Sequence, residues 1–446
     1  MIPNSASETP ARRTVDIAYG RGRLPLRLDP AVADWTVVEP RPEPAVSDPR
    51  AAFFHAAANP VGGRTLADIG RSAGPSARVV IATSDGTRPV PNRLLVPLTV
   101  EALGVADGQV TILVGTGTHR PNTPAELLDM FGEEVVRRFR IVNHDSFDPA
   151  SNVQVGTTAA GGPVQLNRLW VEAETRICLG FIEPHFFAGF SGGGKGVMPG
   201  VAGIDTILHF HRFDIIADPR STYAETDGNP TAELVRECVA MCPPCFMVNV
   251  SLNPDKAVTA FFCGDWRQAH AAGCAHVKGH AMFPVEAEFP VVVTSCMGFP
   301  LDQNLYQAVK ALAVAARVTL PGGTIVLVAE CSDGLPSHGD FGKLMQSGGT
   351  TAEMLARLRD GGNPARLDQW QAQTMLNVLA KCRVAVKSAL PADTARRCHM
   401  APLDDLQSAV ESALDGLPAA RRRVAVLPDG PLTVPFVRSR QSVGTK

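Results

Sequence analysis

The sequence predicts an α/β protein built from two α/β domains with mostly parallel sheets. Two observations carry that expectation. Short apolar runs rich in β-branched residues recur along the chain, and between several of them lie stretches with the apolar spacing of helices. Glycine and proline, 40 and 36 of 446 residues, exceed a background near 12% and gather beside the apolar runs, where strands end in tight turns. With hydrophobic residues at 45% and charged ones at 19%, the chain is of globular type. At roughly 150 residues per domain it holds two or three cores.

Taken in order, the strand-like runs are 78–83, 110–114, 140–143, 176–180, 246–252, 291–295, 324–329, 383–386 and 423–427. Helical spacing marks 92–103, 124–131, 231–241, 301–315, 351–358 and 368–380. Short buried strands alternating with helices are the pattern of α/β layers around a largely parallel sheet. The segment 29–50 carries Pro30, Pro40, Pro42, Pro44 and Pro49 and reads as an extended surface stretch. A polar stretch at 279–290, with Glu286 and Glu288, precedes the fresh strand 291–295. The expected division is therefore a domain over 1–285 and a smaller one over 286–446, with the strand 423–427 able to join either. There is no internal repeat.

A formal charge of −2 excludes the basic balance of a nucleic-acid binder. Ten cysteines in a chain of this length, with no apolar signal-like core in 1–13, read as reduced thiols. No run of about 18 apolar residues spans a membrane. The expected setting is the cytoplasm.

The informative residues stand just after predicted strands, where open α/β sheets bind ligands. Asp85-Gly86-Thr87-Arg88-Pro89 follows the first run, and Gly115-Thr116-Gly117-Thr118-His119-Arg120 follows the second. Glu183-Pro184-His185 and then Gly189 to Gly196, containing Gly192, Gly193, Gly194 and Lys195, follow 176–180. Gly298 to Asn304 follows 291–295, with Lys310 beyond. Four loops at one sheet edge thus supply two histidines, an arginine and two lysines. His119 and His185 suit general acid–base work, because imidazole titrates near neutrality; taken singly, each reads as a turn or core histidine.

Other readings stay open on the residues alone. Gly189–Lys195 fits G-x-x-x-x-G-K, the loop of a phosphotransferase, but Gly196 stands where a magnesium-binding Ser or Thr belongs. His209 and His211 flank Phe210; on a helix only one of them faces a site, on a strand both share a face. Cys242-Pro243-Pro244-Cys245 has C-x-x-C spacing with Cys274, His276 and His280 downstream, yet a double proline is unlike a redox dithiol and the set lacks firm zinc spacing.

With these pieces assembled, the chain resembles the nickel-pincer nucleotide-dependent lactate racemase family of 2-hydroxyacid racemases and epimerases. The resemblance rests on SDGTRP (84–89), GTGTHRP (115–121), NHD (143–145), EPHFFAGFSGGGK (183–195), PGVAGIDTILHFH (199–211), GFPLDQNLYQAVK (298–310) and the weaker DQW (368–370). It implies two α/β domains with an interdomain active-site cleft. It also implies a pyridinium-3-thioamide-5-thiocarboxylic acid mononucleotide holding Ni(II), tethered through Lys195 and completed by His211, and maturation by cofactor-synthesising enzymes. Tetragonal geometry with an imidazole ligand suits Ni(II). By the same resemblance His119 and His185 are the acid–base pair, and Arg88 and Lys310 clamp the carboxylate of a small 2-hydroxy acid. Tyr306 and Gln307 lie near the substrate, and Asp85, Gly193, Gly194 and Trp370 near the cofactor. Hydride then leaves C2 of the substrate and returns to the other face, one histidine taking the hydroxyl proton and the other restoring it. A non-enzymatic carrier of the nickel cofactor is the remaining alternative; it has no use for a carboxylate clamp. One departure stands out, since the family's usual basic residue before the lysine is here Gly194.

Overall fold

In the computed structural model, residues 12–438 are described apart from 42, 337–338 and 361–364. The chain forms two compact units, neither continuous in sequence. One takes residues 41–281 with 358–370, and the other takes 12–40, 282–357 and 371–438. The main crossing lies at Ala281/Met282, and residues 12–40 group with the C-terminal part.

The unit over 41–281 is organised on a six-stranded sheet in the order Val258–Gly264, Phe246–Leu252, Thr175–Phe181, Val79–Ser84, Val110–Gly115, Arg140–Asn143. All neighbours are parallel except the first pair. The central strands are buried nearly throughout, which is why they read as continuous apolar runs instead of alternating ones. Successive side chains still serve opposite faces. Val79 and Ile81 pack with Leu95, Ile112 and Phe131, while Val80 and Ala82 pack with Leu113, Trp170 and Val197. On the first face, helix Asn92–Leu103 ends at Gly104, whose φ of 67° closes the left-handed cap. Helix Pro124–Arg138 starts at a Thr123/Glu126 capping box and is broken at Gly132.

The other unit holds a wholly parallel sheet ordered Ala401–Pro402, Arg383–Lys387, Thr319–Val328, Phe289–Ser295, Arg423–Leu427, Asp34–Val37. The strand 423–427 thus belongs to this unit. The hairpin Arg13–Tyr19/Gly22–Leu28 buries Ile17, Leu26 and Leu28 against Val291, Val326 and Val410.

The proline-rich stretch 29–50 departs from its expected extended surface form. Asp34–Val37 is a sheet strand whose backbone pairs with Arg423–Val426, and Pro49 opens the helix Pro49–Ala58 behind an Asp48 cap. Proline suits the first helical turn, where its missing N–H has no partner to lose. Pro42 lies outside the described residues. No helix among the described residues is long and apolar enough to cross a membrane.

Candidate active site

Three adjacent central strands deliver the site residues of the 41–281 unit. Val79–Ser84 leads into Asp85 and Arg88, Val110–Gly115 into His119, and Thr175–Phe181 into Glu183, His185 and the glycine-rich loop. Parallel strands release their loops at one edge, so residues far apart in sequence converge there.

Two pairings result. His119 Nδ1 lies 2.7 Å from Asp85 Oδ2. Burial pushes the Asp85 carboxyl up, but His119, Thr87 and Arg88 outweigh it and hold the group below the usual carboxylate range. Thr87 donates to Asp85 Oδ1 from both its backbone N–H and its hydroxyl. An ionised Asp85 accepts, so the hydrogen-bond pattern assigns the proton to His119 Nδ1 and the lone pair to Nε2. The second pairing is Arg88 Nε to Glu183 Oε1 at 3.2 Å, both side chains largely buried.

His185 sits in a tight hairpin, Pro184–His185 against Gly189–Phe190. It is buried, stacked on Phe186 with ring centroids 4.7 Å apart and edge-on to Phe187 at 4.5 Å. Its Nδ1 faces the backbone N–H groups of Phe187 and Ala188 at 3.5 and 3.3 Å. A nitrogen receiving N–H donors carries no proton, so in the neutral ring the hydrogen is on Nε2. The two histidines therefore hold opposite tautomers.

The Gly189–Lys195 run is not a phosphate loop leading from a strand into an α-helix. It leaves the hairpin and turns through a four-residue 3-10 segment, Gly193–Gly196. Its glycines are dictated by protein packing. A Cβ on Gly193 would lie 2.5 Å from the His270 ring, one on Gly194 would press Val235 and Val239 at 3.1 Å, and one on Gly196 would lie 2.5 Å from Cys178 Sγ. Gly193 N–H donates to Asn249 Oδ1 at 2.7 Å, and His270 Nε2 lies 2.9 Å from the Ser191 carbonyl. The Gly194 position has no room for a basic side chain on that face.

Lys195 Nζ lies 5.6 Å from the Phe187 ring and 5.9 Å from Phe210. The same rings pack on His211, Phe187 edge-on at 5.6 Å and Phe210 at 4.6 Å, and Trp370 stacks on it at 4.1 Å. His211 follows helix Ile204–Phe210, and its Nδ1 donates to the Ile207 carbonyl at 2.8 Å. Burial pushes its pKa down to about 3, with the Lys195 cation adding to that effect against the Ile207 carbonyl. It is a neutral imidazole with Nε2 as its donor atom. His209 turns elsewhere, toward Thr158 at 3.4 Å and Arg212 at 3.5 Å, so the helix resolves the pair.

Within the other unit, Tyr306, Gln307 and Lys310 lie on helix Leu305–Ala316. Lys310 Nζ donates to Gln307 Oε1 at 2.6 Å, and the Tyr306 ring packs edge-on to Phe341. Asp302 Oδ2 accepts from Gly20 N–H at 2.7 Å and Glu330 N–H at 3.0 Å, holding the loop before this helix. Cys242 is buried and Cys245 exposed, with no disulfide among the described residues. Glu183, Asn249, His270 and Asp302 are supporting residues that no motif singled out for a role; each is tied to its partner only by the fold.

Known proteins bear on this arrangement. Residues 19–224 match the family described as Lactate racemase N-terminal domain, and 285–434 match Lactate racemase C-terminal domain. A lactate racemase of Lactiplantibacillus plantarum is 35% identical over 381 residues, covering 83% of this chain and 87% of the relative. One from Thermoanaerobacterium thermosaccharolyticum is 33% identical over 375 residues with the same coverage. The lactate racemase apoprotein structure from that organism matches with a TM-score of 0.87 at 30% identity, over 95% of this chain and 100% of that one. A Thermotoga maritima protein matches at TM-score 0.65 and 19% identity, over 84% and 96%, and shares the fold.

Proposed function

The chain belongs to the lactate racemase family, and from that premise we propose that this isomerase racemises or epimerises lactate or a related larger 2-hydroxy acid by moving hydride off C2 and back. The observation that carries the reading is the pair of oppositely set histidines at one sheet edge. With His119 neutral and His185 entering as the imidazolium, Nε2 of His119 takes the hydroxyl proton from one hand of substrate and Nε2 of His185 supplies one to the 2-oxo species that forms. Turnover leaves His119 protonated and His185 neutral, which is the state that serves the opposite hand.

Arg88 binds the substrate carboxylate. Glu183 on Nε and the Thr87 carbonyl on Nη1 fix the guanidinium plane, and the remaining terminal N–H groups are the ones a carboxylate would accept. By resemblance, Lys310 is the second cation for that carboxylate, with Tyr306 and Gln307 beside it on the same helix. Phe186 and Phe187 surround His185 and keep water from it, which strengthens its interaction with a developing charge.

The residues present fit a nickel-pincer nucleotide. His211 is a neutral imidazole held by Ile207 and Trp370, and Lys195 brings an amine into the same aromatic surround, where a thioamide tether is chemically feasible. Bound there, the group would supply the hydride acceptor for C2. Gly193 and Gly194 border it only through their backbone. Asp85, placed near the cofactor by the resemblance, also acts through His119. Maturation then requires the enzymes that make the nucleotide.

Turnover of C2-deuterated lactate tests the reading. Retention of deuterium in the racemised product is expected; washout to solvent would sink it and point to proton abstraction at carbon. Intact mass and metal analysis of protein made alongside the cofactor-synthesising enzymes is expected to show nickel and an adduct on Lys195.

A further inference from the structure

Glu43, His276 and His280 stand outside the site described above. Their ligand atoms all lie within 4.8 Å of one another. His276 and His280 are one turn apart on helix Gln268–Ala281, their rings 4.7 Å apart, and Glu43 comes from the loop that opens this unit. His276 Nε2 lies 2.5 Å from Glu43 Oε1. His280 Nδ1 lies 3.0 Å from the His276 carbonyl and donates to it, which leaves the Nε2 lone pair as the one a metal could take. A ring whose second nitrogen is fixed on a backbone carbonyl is the usual support of a metal-bound histidine.

From this geometry we infer a second metal site, for a zinc-like divalent ion, formed by Glu43, His276 and His280. Two imidazoles and a carboxylate are borderline ligands suited to such an ion. A tetrahedral ion with bonds of about 2.0 Å needs donors about 3.3 Å apart. To reach that spacing the 2.5 Å His276–Glu43 pair has to open and the wider pairs to close, by rotation of three side chains that are only half-buried. Solvent fills the fourth position.

The location gives the ion a task. The chain enters this unit at Arg41 and ends its main run there at Ala281. Entry and exit run side by side, and the Arg41 guanidinium donates to the Gly279 carbonyl at 3.1 Å. An ion on Glu43, His276 and His280 ties the second residue after the entry to the last turn before the exit, and so resists fraying of both. The C-x-x-C pair plays no part in it.

The test is Zn²⁺ titration of the full-length apoprotein carrying His211→Ala, which removes the competing imidazole of the catalytic site. One equivalent is expected to bind, to raise the thermal midpoint by several degrees, and to slow amide exchange at 276–281. Adding His280→Gln or Glu43→Gln is expected to weaken binding at least tenfold, and Co²⁺ in the parent is expected to give the strong visible absorption of tetrahedral coordination. Absence of binding in the parent would reduce the cluster to a hydrogen-bonded pair. Binding undiminished by either added substitution places the ion elsewhere, at Cys242 and Cys245 for instance. Both outcomes overturn the proposal. Folding of the added variants is checked by an unchanged metal-free thermal midpoint.

Discussion

Asp85 and His119 come from two different strands, and their 2.7 Å contact decides which imidazole nitrogen is left with a lone pair. Because the Asp85 carboxyl is held below its ordinary value near 3.9, it is ionised throughout the neutral range. The stabilisation it contributes is present above that ordinary value and is lost only as pH falls below it through the folded value. Asp85→Asn removes the charge and leaves the tautomer unspecified. We expect kcat to fall by about 10² to 10⁴, in line with orienting carboxylates elsewhere, with a much smaller change in KM. Steady-state kinetics in both directions check this, and a kcat within twofold of the parent would refute Asp85 as a positioning residue. His119, His185, Arg88 and Lys195 were legible in the sequence as candidates only, because reactive side chains stood beside glycines and prolines at strand ends. Asn249 and His270 were not, because nothing local marks a residue that holds the glycine loop from 56 or more positions away; Glu183 stood inside a quoted motif but without a role of its own.

At the scale of elements, the glycine-rich loop lies directly on strand Thr175–Phe181, and Gly196 is one of the places where they touch. An alanine there would bring Cβ to 2.5 Å from Cys178 Sγ, a fully buried thiol. Gly196→Ala is expected to cost about 1–3 kcal/mol by overpacking, and Cys178→Ala in the same chain to recover a good part of it. Urea denaturation of the two single variants and the double variant measures the coupling; strict additivity would mean the loop moves away without resistance. The buried strands were legible for the same reason that they are rigid, since continuous apolar runs flanked by glycine admit few other fates. Strands 140–143, 246–252 and 423–427 coincide with their observed bounds. Asp34–Val37 escaped notice because Asp-Trp-Thr-Val is short, half-exposed and at a sheet edge. The helix Ile204–Phe210 escaped because its seven residues span too few turns to show a period.

Across the whole molecule, buried histidines set the acid response. Burial holds His144 below its ordinary value against the Ala202 carbonyl and the Asp145 charge, and it holds His270 below against the Ser191 carbonyl, with the Arg236 and Lys195 cations adding to the effect. Their native rings stay neutral while the unfolded chain takes up protons below about 6.5. Stability is therefore complete above that pH and declines as pH falls through it, by up to about 1.4 kcal/mol per pH unit for each group. Urea midpoints at pH 7.5, 6.5 and 5.5 should be level and then drop; a flat profile to pH 5.5 would contradict the assignment.

The edge strand Asp34–Val37 has a further consequence, in the order of events on the ribosome. Its backbone partner, Arg423–Val426, is nearly 390 residues downstream. The nascent chain can complete the sheet over 79–264 while synthesis continues, since all six of its strands have by then emerged. The segment 12–40 leaves the tunnel before any of them and must wait, its strand unpaired, until Arg423–Val426 has been made. A strand made ahead of both sheets is thus among the last to find its place.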